Sequence, residues 1–240
     1  MNENIFLKII KICFFIAIFS IYPKAYSQTK HISYYDNGNL ELVGEFDNDG
    51  KPIGEWKSYY DDGTLERIEI FEKNKVFIKS YWKNGNLAEI YSSEDGYITG
   101  EYIMYYDNGN LWSTKNYEKG LHKGKQKSYF KNGNISAIEF YKDGNRIGKF
   151  RYYHENGKPS IIAIYNRKGD NIKTKWYRDN GYLWKKESFR YRKNGDVFQK
   201  FKENHLNGKL EVSGTILNGE NVNEWKYYDE QGKLIKIERY

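Results

Sequence analysis

Apolar and polar positions along this chain recur at fixed distances from a series of glycines, most of which follow Asn or Asp. The seven residues YYDNGNL at Tyr34–Leu40 return unchanged at Tyr105–Leu111. In nine copies a tyrosine stands four residues before the glycine and an apolar side chain stands two residues after it. Self-similarity of this kind indicates a repeat protein.

The positions that define the repeat fall into three sets. The glycines are Gly38, Gly63, Gly85, Gly109, Gly133, Gly157, Gly181, Gly195 and Gly232. The tyrosines are Tyr34, Tyr59, Tyr81, Tyr105, Tyr129, Tyr153, Tyr177, Tyr191 and Tyr228, and the apolar residues are Leu40, Leu65, Leu87, Leu111, Ile135, Pro159, Leu183, Val197 and Leu234. From Gly85 to Gly181 the spacing is a constant 24 residues, whereas it is 14 and then 37 after Gly181.

Asn or Asp before Gly is a strong hairpin signal, because these residues tolerate left-handed backbone angles. A two-residue loop would place the tyrosine opposite a variable position, which holds Glu41 in the first copy and Glu66 in the second. A three-residue loop that ends at the glycine would place it opposite the apolar residue. Cross-strand aromatic–aliphatic pairs stabilise a sheet by about 0.2–1 kcal/mol each, so we expect the three-residue loop.

A second glycine pair, four residues apart in GKPIGEW, GYITGEY, GLHKGKQ and GNRIGKF, predicts the turn at the other end of each unit. Aromatic residues such as Trp56, Tyr102, Phe150 and Trp225 begin the strand that follows. One hairpin cannot bury an apolar face alone, so neighbouring hairpins must stack. The sequence therefore predicts an all-β fold, an elongated single-layer antiparallel β-meander of stacked hairpin repeats of about 24 residues.

Composition supports this prediction. Of 240 residues, 24 are Tyr, 13 Phe, 6 Trp and 22 Gly, against only 3 Pro. Aromatic residues favour strands, and glycine favours tight turns. Most of the apolar surface that is buried on folding must therefore come from aromatic side chains.

The first 27 residues have the layout of a secretory signal peptide. Lys8 and Lys11 precede an apolar run from Ile12 to Tyr22, which is too short to span a bilayer, and Ala25-Tyr26-Ser27 offers a cleavage site. We expect cleavage near Ser27–Gln28, export to the periplasm, envelope or medium, and a repeat domain of about nine hairpins over residues 28–240. An uncleaved membrane anchor is the alternative.

Cleavage would change the chemistry of the mature chain. It would remove Cys13, the only cysteine, and would lower the formal charge from +7 to +5 through loss of three lysines and one glutamate. The remaining cations are spread along the chain, so we expect no nucleic-acid partner.

No catalytic, cofactor-binding or metal-ligating residue is predicted. His31, His122, His154 and His205 stand far apart without metal-like spacing. Asp61-Asp62 occupies the turn slot that holds Asp36-Asn37 in the first copy. The sequence favours a protein that is not an enzyme, in which the special residues serve turns and packing.

Taken together, YYDNGNL, YYDDGTL, YFKNGNI and YYDEQGKL, preceded by GKPIGEWKS or GLHKGKQKS, resemble the bacterial variant of the MORN repeat over nearly all of residues 31–240. The resemblance implies stacked β-hairpins in an open sheet. Similar proteins are often labelled YwqK-like antitoxins, and eukaryotic MORN proteins have been linked to membrane association and scaffolding. A signal peptide would separate this chain from a cytosolic toxin.

Both faces of such a sheet cannot be covered by the chain itself, so some aromatic surface should remain exposed. Rings next to cations in WKSYY (Trp56–Tyr60), KFRYY (Lys149–Tyr153) and RYRK (Arg190–Lys193) are candidate contacts. We expect an interaction scaffold that binds another protein. The alternatives are an anionic membrane surface as partner and an antitoxin or immunity role.

Overall fold

The computed structural model describes residues 29–240, and the predicted signal peptide with its expected cleavage site lies outside them. Every regular element there is a β-strand. The strands are β1 Thr29–Tyr34, β2 Leu40–Phe46, β3 Pro52–Tyr59, β4 Leu65–Glu72, β5 Lys75–Tyr81, β6 Leu87–Glu94, β7 Tyr97–Tyr105, β8 Leu111–Glu118, β9 Leu121–His122, β10 Gly124–Tyr129, β11 Ile135–Lys142, β12 Asn145–Arg146, β13 Gly148–Tyr153, β14 Pro159–Tyr165, β15 Asn171–Tyr177, β16 Leu183–Tyr191, β17 Val197–Asn204, β18 Leu210–Leu217, β19 Glu220–Tyr228 and β20 Leu234–Arg239.

The strands form one antiparallel sheet in which, apart from the short strands β9 and β12, each pairs with the next long strand along the chain. The short strand β9 and the strand β10 both pair with β8, and β12 and β13 both pair with β11. The predicted single-layer β-meander is confirmed.

The hairpin loops at the Asn-Gly pairs have three residues, as predicted. In the first hairpin Tyr35 N donates to Asn39 O at 2.9 Å, and Gly38 N donates to Tyr35 O at 2.8 Å. Gly38 has a φ of +84°, a left-handed angle that glycine adopts without a Cβ clash. Tyr34 therefore lies opposite Leu40.

A β-bulge follows each of these loops except the one at Gly195. In the first hairpin Tyr34 pairs with Leu40 but Ser33 pairs with Leu42, so Glu41 has no partner residue. The variable position after the apolar residue is thus the bulge position, and the extra residue bends its strand.

The prediction that Gly195 belongs to the same series of loops as the other aligned glycines is wrong. Strands of a meander turn at alternate edges, and the loop that joins β16 to β17 at Gly195 lies on the edge opposite the other aligned glycines. The loop that continues the series is at Asn207-Gly208, between β17 and β18. With Gly208 in place of Gly195, the spacings of 14 and 37 become 27 and 24. We call the edge with Gly38 and Gly208 the Asn-Gly edge.

The second glycine pair does not form one turn. At the edge opposite the Asn-Gly edge, Asp95 and Gly96 make a two-residue loop with φ of 51° and 80°. Gly100, the second glycine of this pair, lies within β7 with a φ of 75°. Around it three residues of β7 oppose one residue of β6, because Ile90 pairs with Ile103 and Ser92 with Thr99. The second glycine therefore serves a bulge.

The two faces of the sheet differ in burial. Side chains alternate between faces along a strand and directly paired residues share a face. All the buried side chains lie on one face, which we call the packed face; they are those of Trp56, Ile78, Ser80, Ser113, Gln126, Ala137, Phe150, Ala163, Thr174, Glu187 and Trp225. The other face, which carries Lys57, Ile68 and Lys79 at its start, we call the open face, because no second layer of the described residues covers it.

Ring-to-backbone hydrogen bonds join one repeat to the next along the Asn-Gly edge. The Oη atoms of Tyr35, Tyr60 and Tyr106 donate to Tyr59 O, Tyr81 O and Tyr129 O at 2.6, 2.7 and 2.8 Å. Turn asparagines add a second set, since Asn37 and Asn39 both donate to Asp61 O. Each loop therefore positions its successor.

Candidate interaction surfaces

The packed face carries a chain of aromatic rings that runs across the repeats. Phe150, which is fully buried, contacts Tyr141 and Tyr165 at centroid distances of 5.4 and 4.8 Å. Trp56 and Trp225 lie flat over Gly44 and Gly214, where a Cβ atom would come within 2.0 and 2.2 Å of the indole. These rings replace the second layer that the sheet lacks.

A shallow groove lies on the packed face, near the Asn-Gly edge of β4 to β8. We call it the tryptophan groove; it is lined by Tyr60, Glu66, Arg67, Ser80, Trp82, Glu89, Met104 and Trp112. Trp82 and Trp112 are 38% and 40% exposed. Trp112 stacks on Tyr106 at 5.6 Å, and Trp82 Nε1 donates to Tyr105 O at 3.1 Å. Both indoles are thus held in place while one side stays accessible.

Polar groups at the floor of the tryptophan groove are bonded to one another. Ser80 Oγ donates to Glu89 Oε1 at 3.2 Å, and Tyr102 Oη donates to Glu89 Oε2. Burial, and then the bond to Glu89, raises the pKa of Tyr102 above its ordinary value. Arg67 lies 3.9 Å from Glu89 and 3.5 Å from Glu69, so its cation is anchored beside the indoles.

The structure contradicts part of the predicted aromatic surface. Trp56 and Phe150, from the segments WKSYY and KFRYY, are 6% and 0% exposed and belong to the packed face. Tyr191 of RYRK is 43% exposed. The exposed indoles Trp112 and Trp184 occupy bulge positions, where other copies hold Glu41 or Glu66. For Trp112 and Trp184, the available signal in the sequence was an aromatic residue directly after the apolar residue of the repeat.

The repeat positions identified from the sequence all lie at the Asn-Gly edge, apart from the Tyr191 copy. Each tyrosine is paired directly with its apolar residue, from Tyr34 with Leu40 to Tyr228 with Leu234. Asn204 stands at the tyrosine position of the Gly208 loop, opposite Leu210, and this substitution hid that copy.

Each histidine has a structural contact. His31 stacks on Trp56 at 5.6 Å. His122 Nδ1 lies 2.7 Å from Gln126 Nε2, and its Nε2 lies 2.8 Å from Tyr117 Oη. His154 and His205 take the place of the bridging tyrosines, with Nε2 at 2.9 and 2.8 Å from Tyr177 O and Tyr228 O.

Asp61 and Asp62 serve the turn and its neighbour. Asp62 Oδ1 accepts from Thr64 N at 2.9 Å and from Thr64 Oγ1 at 2.6 Å, which lowers its pKa. Asp61 accepts from Lys83 Nζ of the next loop at 2.8 Å. The carboxylate of Asp62 thus stabilises its own turn, and the carboxylate of Asp61 binds the neighbouring loop.

Two further findings concern residues 29–240 alone. No group of three or more His, Cys, Asp or Glu side chains comes together there as a metal site would require. Within the same range no helix has the length and apolar character needed to cross a bilayer.

The hairpins stack side by side, hydrogen bonds join each loop to the next, and the buried side chains lie on the packed face alone. These features define the molecule as a β-hairpin repeat protein. A model described as "MORN repeat variant" matches residues 29–48, 52–73, 98–119, 123–143, 146–167 and 222–240, just over half of the chain. The chain belongs to the MORN repeat variant family. This repeat type is non-catalytic and generally binds proteins or membranes.

No curated protein matches this chain. Among solved structures, one titled "Crystal Structure of TcdB2-TccC3-Cdc42" matches at 11% identity with a TM-score of 0.23, over 84% of this chain and 14% of that one. Another, "Crystal Structure of TcdB2-TccC3-TEV", matches at 12% identity with a TM-score of 0.21, over 89% and 17%. This chain spans less than a fifth of either.

Proposed function

We propose that this protein is an exported, non-enzymatic scaffold whose tryptophan groove binds another protein. The groove carries the proposal, because it combines two partly exposed, pre-positioned indoles with an anchored arginine. Trp, Tyr and Arg dominate the binding energy of protein interfaces. Their ordered rotamers lower the entropy lost on association.

The groove also favours a protein partner over a lipid surface. Its indoles stand beside the bonded carboxylates of Glu66 and Glu89, and carboxylates disfavour approach to anionic headgroups. An inhibitor or antitoxin role would be one case of protein binding, and the identity of the captured partner distinguishes it.

The test begins with affinity capture from an envelope extract of the producing cell, followed by titration of the captured partner. The double variant Trp82→Ala/Trp112→Ala should weaken binding by about tenfold or more, as expected of interface hot spots. Trp184→Ala is the matched control, because Trp184 is 38% exposed at the same edge but lies outside the groove. Equal binding by the double variant and the control would contradict the proposal.

Export is supported by the residue pattern of the first 27 positions. Amino-terminal sequencing of the protein recovered from the envelope or medium should begin at Gln28. A chain recovered only from cytosol, with Met1 retained, would remove this part of the proposal without affecting the groove.

A further inference from the structure

On the strands from β10 to β17, all the carboxylates lie on the packed face and most of the cations lie on the open face. Lys142 and Arg190 lie on the open face at the ends of their strands. Nine further cations lie there within the strands, and they are Lys125, Lys127, Lys149, Arg151, Lys173, Lys175, Lys186, Lys200 and Lys202. The carboxylates of these strands, Glu139, Glu187 and Glu203, all lie on the packed face, where Glu187 pairs with Lys185 at 2.7 Å. We call this set of nine cations the basic comb.

Direct strand pairing aligns the basic comb in rows. One row runs straight across seven strands, and its members are Lys127, Ile138, Arg151, Ile162, Lys175, Lys186 and Lys202. A second row beside it contains Lys149, Ile164, Lys173, Ser188 and Lys200. The basic comb therefore extends for roughly 30 Å along the sheet, given strand spacings near 4.8 Å.

From β10 to β15 the rows alternate between charge and apolar surface, whereas β15, β16 and β17 carry Lys175, Lys186 and Lys202 side by side. Cations stand in pairs on β10, β13, β15 and β17, while Ile138 with Phe140 and Ile162 with Ile164 occupy the intervening strands β11 and β14. The cation pairs on β10, β13 and β15 consequently recur at roughly 9–10 Å, which is two strand spacings, and Lys186 on β16 adds a cation between the pairs of β15 and β17.

Nothing in the described chain neutralises the basic comb. None of its nine cations forms an ion pair with a described residue. Lys175, Lys186 and Lys202 even lie directly opposite one another, and like charges in that arrangement destabilise a sheet. Burial, and then the nearby Lys173, Lys175 and Lys202, lowers the pKa of Lys186. A bound anion would relieve this repulsion.

We propose that the open face of β10 to β17 binds a linear acidic polysaccharide whose carboxylate or sulfate groups recur once per disaccharide. Charge complementarity requires an anion, and the length of the comb requires an extended one. From β10 to β15 the period matches a disaccharide repeat, so that charged sugars meet the cation pairs while the C–H faces of the intervening rings lie on the isoleucine strips. Lys186 adds to the charge at the β15 to β17 end. This inference is independent of the tryptophan groove.

Two other polyanions fit less well. Nucleic acids carry a denser charge, about one per 1.7 Å in a duplex, and single strands bind proteins through base stacking on aromatic rings, whereas the strips of the comb are aliphatic apart from Phe140. A membrane surface is usually engaged by protruding Trp, Phe or Leu side chains, whereas Ile138 and Ile162 are half-buried between the cations.

The experiment measures binding of hyaluronan, which has one carboxylate per disaccharide, to the protein purified as the cell makes it. Neutral dextran, single-stranded DNA and phosphatidylglycerol vesicles are compared under the same conditions. Hyaluronan should bind, should stabilise the protein against heat, and should be released as salt is raised. Tighter binding of the DNA or the vesicles, or no binding of hyaluronan, would overturn the proposal.

A charge-matched pair of variants locates the site. Replacing Lys149, Lys175, Lys200 and Lys202 by Gln should weaken hyaluronan binding about tenfold or more, because each cation contributes to counterion release. The control replaces four exposed turn lysines, Lys51, Lys168, Lys193 and Lys233, by Gln, and loses the same formal charge. Equal losses in both variants would show general attraction to a basic protein and would overturn the assignment to the comb.

Discussion

At the scale of single residues, the packed face depends on the match between a missing side chain and a large ring. Gly44 has no left-handed φ angle, so its backbone would tolerate other residues. Its role is to leave room for the indole of Trp56, which lies where a Cβ would stand. Gly214 and Trp225 repeat the arrangement near the other end of the sheet.

Gly44→Ala should therefore lower the free energy of unfolding by about 1–3 kcal/mol, the usual cost of overpacking. Chemical denaturation of the single variants and the Gly44→Ala/Trp56→Ala double variant measures the coupling. The alanine at position 44 should cost much less once the indole is gone. Additive effects would contradict the steric account.

His122 should make stability depend on pH. Its pKa is lowered, chiefly by burial and then by Lys115, from the ordinary value of 6.5. The unfolded chain then binds the proton more readily than the folded one, so His122 leaves stability intact above pH 6.5 and reduces it as the pH falls through the lowered value.

Unfolding midpoints measured from about pH 8 to about pH 5 test this sign. The variant His122→Gln keeps a hydrogen-bonding side chain that does not titrate, and it should lose less stability over that interval than the unmodified chain. Parallel curves for the two proteins would show that His122 is not responsible.

At the scale of elements, the hairpin was readable from sequence because its determinants are local. The Asn-Gly pair predicts a tight loop, and the favourable pairing of Tyr with Leu across the strands indicates that this loop has three residues rather than two. The edge on which a loop lies is not local, since it depends on how many strands precede it. The Asn-Gly pair at Gly195 therefore looked like the others, while Gly208 was missed because Asn204 stands at its tyrosine position.

The regular spacing predicts that a whole unit can be removed. Deleting residues 126–149 joins Lys125 to Phe150, which occupies the same place as Gln126 one unit later, and keeps both face and edge assignments. We expect a cooperative β-sheet protein whose denaturant m-value falls by roughly a tenth. Deleting only residues 126–137 moves every later loop to the wrong edge and should abolish cooperative unfolding. Equal tolerance of both deletions would refute the shared register.

At the scale of the whole molecule, folding and surface chemistry are divided between the faces. The tryptophan groove and the basic comb were not predicted from sequence. Both depend on contacts between residues distant in sequence, such as Trp82 and Tyr105, or on the alternation that places Lys149 and Glu139 on different faces. Composition showed cations spread evenly along the chain, and only the strand register shows that they are concentrated on one side.

The single-layer core has an evolutionary consequence. Because the aromatic rings and loop contacts that hold the sheet together lie on the packed face and the edges, substitutions on the open face alter few of the interactions that specify the fold. The residues that each unit presents on the open face can therefore be substituted independently of the other units, while the fold stays the same. A lineage built on this fold can acquire new recognition one hairpin at a time.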